Sequence, residues 1–126
     1  MLGTKETMNY KHIKIGSISR MLQAISGIFL IFFVAVHLYV AHIDFGHPVQ
    51  FFEQVIQNMH NPWWLAFFIA FVWIISYHAV NGIGGIIKDL NLSERAKLYT
   101  NIFLVILFIL TSVYGTILAV LVAGMT

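Results

Sequence analysis

The sequence of 126 residues has no cysteine, two prolines and only 10% charged residues. Without cysteine, the chain forms no disulfide and offers no thiolate to an iron-sulfur cluster, so it gives no clue to the redox state of its compartment. The scarcity of charge accompanies 60% apolar residues and a mean hydropathy of +0.86, too apolar for a soluble domain of this size. We therefore expect an integral membrane protein.

Three long apolar stretches contain no Asp, Glu, Lys or Arg. Each is near or above the roughly 20 residues that cross a hydrocarbon core, and each must be helical because lipid offers backbone groups no hydrogen-bond partner. The sequence therefore predicts one all-α domain with three transmembrane helices. The three stretches are residues 21–42, 64–87 and 98–123.

Lysine and arginine are absent from the loop of residues 43–62, where four apolar side chains predict a short helix on the membrane surface. Those four are Phe51, Phe52, Val55 and Ile56. The basic residues occupy the N-terminal segment and the loop between the second and third stretches. They are Lys5, Lys11, Lys14, Arg20, Lys88, Arg95 and Lys97. The positive-inside rule puts the N-terminus in the cytoplasm and the C-terminus outside.

The net charge of +2 follows from this orientation bias and gives no reason to expect a nucleic-acid partner. The N-terminal segment lacks an apolar core followed by a small-residue cleavage site, and it is not the Arg-rich, acid-poor sequence of a transit peptide. We expect a multi-pass protein of a bacterial or archaeal cytoplasmic membrane.

Two of the six histidines, His37 and His78, lie inside apolar stretches, where an ionisable group is costly and by default marks a functional site. The alternative is a neutral histidine that hydrogen-bonds a neighbouring helix. At 100° per residue, Ser19 and Ser26 share the face of His37. Gln23 and Leu30 lie on that face too, with Gly27 at its margin.

On the second stretch, His78 is in line with Gly82, Gly85 and Asp89. Glycines beside a histidine suit a flat ring lying against the backbone, although small residues also serve plain helix packing. A neutral imidazole is a common axial ligand of haem iron. A haem site is therefore the first hypothesis for this face.

Depth separates the two histidines. His37 is 17 positions beyond Arg20, roughly 25 Å deep, and His78 is 10 positions before Lys88, roughly 15 Å deep. The two axial ligands of a haem that stands upright in the membrane lie at similar depths. Histidines about 10 Å apart along the membrane normal therefore do not bind the same haem. If both are ligands, each serves a different haem b, and each haem takes its second histidine from another polypeptide.

Two interpretations of Arg20 stay open, a partner for a haem propionate or quinone carbonyl and an ordinary basic anchor. Asp89 is either a residue of a quinone or docking site or an exposed loop acid. In the third stretch, a cluster of small and polar residues without histidine predicts packing against the first two helices. Its members are Thr111, Ser112, Tyr114, Gly115 and Thr116.

These residues together resemble a known family. Ser17, Ser19 and Arg20 precede a helix that carries His37, and Tyr77-His78 is followed by Asn81-Gly82 and Asp89. This order resembles the cytochrome b membrane-anchor subunits of succinate dehydrogenase and fumarate reductase, over about residues 17–115.

The resemblance implies that His78 ligates the haem nearer the cytoplasm and His37 the outer haem. It associates Ser17 or Ser19 and Arg20 with the quinone and the propionates. In many members a tyrosine follows the aspartate, whereas this chain has Leu90 after Asp89. The implied partners are a second membrane-anchor subunit, an iron-sulfur subunit and a flavoprotein subunit, with electrons passing to membrane quinone.

Two further functions compete with this one. In the first, the chain is a haem-free structural anchor of the same complex, and both histidines are packing groups. In the second, it is a small transporter or channel component, which the absence of charge and proline from the three stretches disfavours.

Overall fold

The computed structural model describes the backbone of residues 3–43, 46 and 51–126, and the side chains of residues 16–43, 46 and 51–126. These ranges contain four helices and no strand. The helices are α1 (Gly3–His42), α2 (Phe52–His60), α3 (Pro62–Asp89) and α4 (Glu94–Ala123). Segments of α1, α3 and α4 are long and apolar enough to cross a membrane. The predicted all-α class with three membrane helices is therefore confirmed.

The membrane helices extend beyond the stretches that hydropathy selects, because capping interactions rather than polarity decide where a helix ends. α3 begins where the Asn61 side chain accepts a hydrogen bond from the Trp63 backbone N–H, at 3.0 Å, with Pro62 in the first turn. α4 begins where Ser93 Oγ accepts from the Ala96 N–H at 3.3 Å.

The short helix predicted in the outer loop is present as α2. It packs against α3 and α4 with Met59 buried, and it leaves Phe51 and Phe52 exposed. This division into an apolar inner edge and exposed aromatic rings is typical of a helix at a membrane interface, and its position on the membrane surface stays a prediction.

α3 is the central helix of the described structure, since it contacts both α1 and α4 while those two do not contact each other. In the polar cluster of α4, Gly115 and Thr116 contact α3, whereas Thr111 and Tyr114 are exposed. No α1–α4 contact occurs in the described structure, so the expectation that the cluster also packs against α1 was wrong. Ser112 is fully buried, and Trp73 Nε1–H donates to Thr116 Oγ1 at 2.9 Å. Because α1 reaches only the opposite side of α3, it has no access to this cluster.

Gly115 allows the closest approach between α3 and α4. A Cβ at this position would lie 2.6 Å from Val72 Cγ1. A valine in a helix is almost fixed in one rotamer, so it cannot turn away from an added methyl group. The small residue therefore sets the distance between the two helices, as in other membrane helix pairs.

We expect Gly115→Ala to destabilise the detergent-solubilised chain by about 1–3 kcal/mol through overpacking, partly offset by the better helix propensity of alanine. Thermal unfolding followed by circular dichroism measures the change. Gly85→Ala is the matched control, because no atom lies within 4 Å of a Cβ there. Equal midpoints for the two variants would contradict the close packing at Gly115.

Candidate functional site

Polar side chains from α1 and α3 meet in the half of their contact nearer the start of α1, in a network that we call the seam. Three of them recur on one face of α1, about one turn apart, and two belong to α3. The seam residues are Ser19, Gln23, Ser26, His78 and Asn81. The sequence stripe on α1 thus faces α3, as polar groups in a membrane must find partners inside the protein.

The hydrogen bonds of Ser26 favour the tautomer of His78 that carries its proton on Nδ1. Ser26 is buried, and its hydroxyl donates to the Gln23 backbone carbonyl at 3.0 Å. The same oxygen lies 3.0 Å from His78 Nδ1. With its hydroxyl proton donated to Gln23, Ser26 Oγ can accept a hydrogen bond from His78 in the Nδ1–H tautomer. In the neutral ring, Nε2 then keeps the free lone pair.

Gln23 connects His78 to the rest of the seam. Its side-chain N–H₂ donates to the His78 backbone carbonyl at 3.1 Å and lies 3.4 Å from His78 Nε2. Its carbonyl oxygen accepts from Asn81 Nδ2 at 2.8 Å. One amide thus contacts the ring, the backbone and a second amide of α3.

Asn81 and Ser19 close the end of the seam nearer the start of α1. Ser19 Oγ donates to Asn81 Oδ1 at 2.8 Å, and Asn81 Nδ2 donates back to the Ser19 backbone carbonyl at 3.2 Å. The pair is reciprocal, so it fixes both the rotation of α3 and its height against α1.

The glycines around the seam have different neighbours. A Cβ at Gly27 would lie 3.3 Å from His78 Cε1, and one at Gly82 would lie 2.9 Å from Gln23 Nε2. A Cβ at Gly85 would meet nothing within 4 Å. Gly82 therefore makes room for Gln23 of the same chain, and Gly85 borders open space.

A cavity of about 400 Å³, which we call the inner cavity, lies at the Ser19 end of the seam and mixes charged, polar and small residues. Five of the residues predicted from the sequence to bind haem or quinone line this cavity, whereas Ser17 is exposed outside it. Those five are Ser19, Arg20, Gly82, Gly85 and Asp89. Lys88, Gln23 and Asn81 also line it. Its volume is typical of a small-molecule site.

An apolar groove of about 450 Å³ begins at His78 and continues along α1 toward the end of that helix. It is lined by Gly27, Leu30, Ile31, Val34, Ala35, Leu38 and His78. The cavity and the groove adjoin at the contact between Gln23 and His78, because Gln23 lines the former and His78 the latter. His78 thus lies where polar surroundings give way to apolar ones.

His37 is separate from the seam. Its ring lies 5.6 Å from those of Phe68 and Phe71, between centroids, and its buried Nδ1 has no hydrogen-bond partner. Phe68 and Phe71 are 10 and 7 residues before His78 on the same helix, or about 10–15 Å. This separation agrees with the depths counted from the sequence.

The structure brings Ser19, Ser26, His78 and Gly82 into one site and leaves His37 at another level. Gln23 and Asn81 were missed as site residues, although Gln23 shares the stripe of Ser19 and Ser26 and Asn81 lies one turn from His78. No group of three or more His, Cys, Asp or Glu side chains that could hold a metal ion occurs in the described ranges.

The residues present suit a haem ligand on chemical grounds. A metal-ligating histidine commonly donates its other ring N–H to a fixed acceptor, and Ser26 provides that acceptor for His78. His37 has a buried ring nitrogen without a partner, an arrangement that is costly unless something else satisfies it.

These features define a class of protein: a multi-pass membrane subunit, helical throughout its described elements, with a half-buried histidine between two of its spans. Comparison with known families is specific, since the family model described as succinate dehydrogenase/fumarate reductase transmembrane subunit matches residues 5–124. The chain belongs to this family, as the sequence resemblance predicted.

Two archaeal relatives are similar over most of their length. The chain is 58% identical over 114 residues to a succinate dehydrogenase hydrophobic membrane anchor subunit of Thermoplasma acidophilum, covering 90% of this chain and 93% of the relative. It is 29% identical over 95 residues to the protein of the same description from Archaeoglobus fulgidus, covering 75% and 80%.

We expect Asn81→Ala to destabilise the chain by about 1–2 kcal/mol, because it removes three interhelical hydrogen bonds of about 0.6 kcal/mol each. Thermal unfolding in detergent measures the loss. Asn101→Ala, at an exposed position of α4, repeats the chemical change outside the seam. A similar loss in both variants would show that the seam does not hold α1 to α3.

Proposed function

We propose that this chain is a haem b-carrying membrane anchor of succinate:quinone oxidoreductase, which tethers the soluble catalytic subunits and passes electrons to membrane quinone. Membership of the family, and the description of both relatives as succinate dehydrogenase anchor subunits, support a role in this enzyme. The archaeal source of both relatives supports a bacterial or archaeal cytoplasmic membrane. Haem iron, when bound, supplies one-electron transfer.

One observation supports the haem assignment: Ser26 Oγ lies 3.0 Å from His78 Nδ1 and itself donates to Gln23, an arrangement that suits the Nδ1–H tautomer and would leave Nε2 to ligate haem iron. The surroundings fit a ring with an apolar body and a carboxylate edge. The apolar groove borders His78 on one side, and Ser19 and Arg20 in the inner cavity are suited to hold the propionates.

A second subunit is needed to complete each haem site. His37 is about 10–15 Å from His78 along α3, so the two histidines serve different haems. α1 exposes large apolar residues both at the groove and outside it, among them Ile31 and Ile28, which are 74% and 69% exposed. A partner anchor subunit with its own histidines would cover part of this surface and complete the bundle.

The quinone site belongs at the inner cavity, close to where an iron-sulfur subunit would deliver electrons from the cytoplasmic side. Arg20 and Asp89 both line this cavity and offer a donor and an acceptor. Ser17 is exposed outside it and would contact quinone only from the rim. Leu90 gives no hydroxyl for a quinone carbonyl, so Arg20 is the stronger candidate donor.

A haem-free structural anchor is the second candidate. Gln23 and Ser26 lie within hydrogen-bonding range of the two ring nitrogens of His78, as a purely structural histidine requires. The optical spectrum of the purified complex separates the candidates. Two b-type haems per complex support the first proposal, and a complex without b haem supports the second.

We expect His78→Ala to remove the inner haem while the outer haem persists, because the two ligands lie at different depths. Haem content and redox-resolved absorption spectra of the assembled complex measure this. His60→Ala, at the end of α2 and away from the seam, should retain both haems. Loss of both haems, or of neither, from an assembled His78→Ala complex would contradict the assignment.

We expect Arg20→Ala to slow quinone reduction about tenfold, the factor for losing roughly 1.4 kcal/mol from a charge-assisted hydrogen bond. Succinate oxidation by a soluble artificial acceptor should persist, since only the last transfer is affected. Arg95→Ala, at the exposed start of α4, is the control. Equal loss of both activities would indicate instead that Arg20 holds the complex together.

A further inference from the structure

Nε2 of His78, the nitrogen proposed to bind haem iron, faces the side-chain amide of Gln23. Nδ1 is committed to Ser26, so Nε2 has the one lone pair of the ring, and Gln23 Nε2 lies 3.4 Å from it. An N–H donor and a metal ion cannot use the same lone pair at the same time. Any ligand role of His78 therefore requires Gln23 to leave this position.

We propose that Gln23 is a displaceable cap on His78, which satisfies Nε2 until a haem is bound and then turns toward the inner cavity. The inference rests on the proposed function, because a haem-free anchor would keep the cap permanently. In that proposal Ser26 is the fixed positioning residue, and Gln23 is the residue that exchanges.

The distances identify which contact of Gln23 is the weak one. Its bond from Asn81, at 2.8 Å, and its bond to the His78 carbonyl, at 3.1 Å, are within the usual range. The 3.4 Å contact with Nε2 is at the long limit for a hydrogen bond. This contact is therefore the least costly of the three to break, and the bond from Asn81 can keep the carboxamide anchored.

Space for the displaced amide is available beside it. Gln23 already lines the inner cavity of about 400 Å³. Gly82 borders the same space, and a Cβ there would lie 2.9 Å from the amide nitrogen. A glycine at this position leaves the amide free to turn, whereas any side chain would crowd it.

A cap has a physical purpose in the haem-free chain. A buried imidazole nitrogen without a partner is costly in a membrane. Contact with Gln23 lowers that cost and keeps α1 against α3 before the second subunit arrives. His37 has no such neighbour at its buried Nδ1, so this arrangement is particular to His78 among the two histidines.

The test uses Gln23→Leu, which keeps a side chain of similar size and removes the amide. The intact complex is equilibrated with an apo-globin that takes up released haem, and absorption measures the haem left in the complex. We expect the inner haem to be held about threefold to tenfold more tightly, the factor that one net hydrogen bond represents. Gln57→Leu, at an exposed position of α2, is the matched control.

A second measurement distinguishes a cap from a plain packing residue. The haem-free full chain in detergent should unfold at a lower temperature with Gln23→Leu, while the loaded complex gains haem retention, so the two effects have opposite signs. Unchanged or weaker haem retention would overturn the cap and indicate that Gln23 supports the bound state.

The two proposals fail in different ways. If the inner haem stays in His78→Ala, or if the wild-type complex has no b haem, the proposed function fails and the cap fails with it. If His78→Ala loses the inner haem and Gln23→Leu does not increase retention, only the cap fails.

Discussion

The hydrogen bonds that join α1 to α3 within the membrane are the interaction on which the rest of the structure depends. In the described structure α1 contacts α3 but not α4, so its rotation and height are set against α3 alone, and the seam provides the directional contacts. Lipid provides no partner for the amides of Gln23 and Asn81, which must therefore find each other. That requirement places Ser26 beside His78 and opens the cavity next to Arg20.

α3 is joined to its two neighbours by different physical means. Its contact with α4 depends on close approach, with Gly115 against Val72 and one hydrogen bond from Trp73. Its contact with α1 depends on polar side chains, with Gly82 leaving room for an amide. The first kind of contact has little free volume, and the second borders a cavity. The cavity and the groove, where we propose that quinone and haem bind, accordingly lie on the α1 side.

The geometry of His78 serves a structural and a ligand role equally well in one respect, because the bond to Ser26 fixes the ring in either case. The structural role and the ligand role of His78 differ only at Nε2, where a metal ion would compete with Gln23. The seam is therefore more informative than the histidine itself. A buried histidine in a membrane helix has several possible uses, and its neighbours decide which of them are open.

The sequence by itself determined the three membrane helices and the polar face of α1, because the absence of charge and the helical period are local properties. It also gave the different depths of His37 and His78, which depend only on the rise of a helix. Tertiary structure alone decided that Gln23 lies on His78 and that Gly82 faces Gln23. Periodicity fixes the direction of a side chain around its own helix, whereas the residue opposite depends on the crossing and register of two helices, which packing sets.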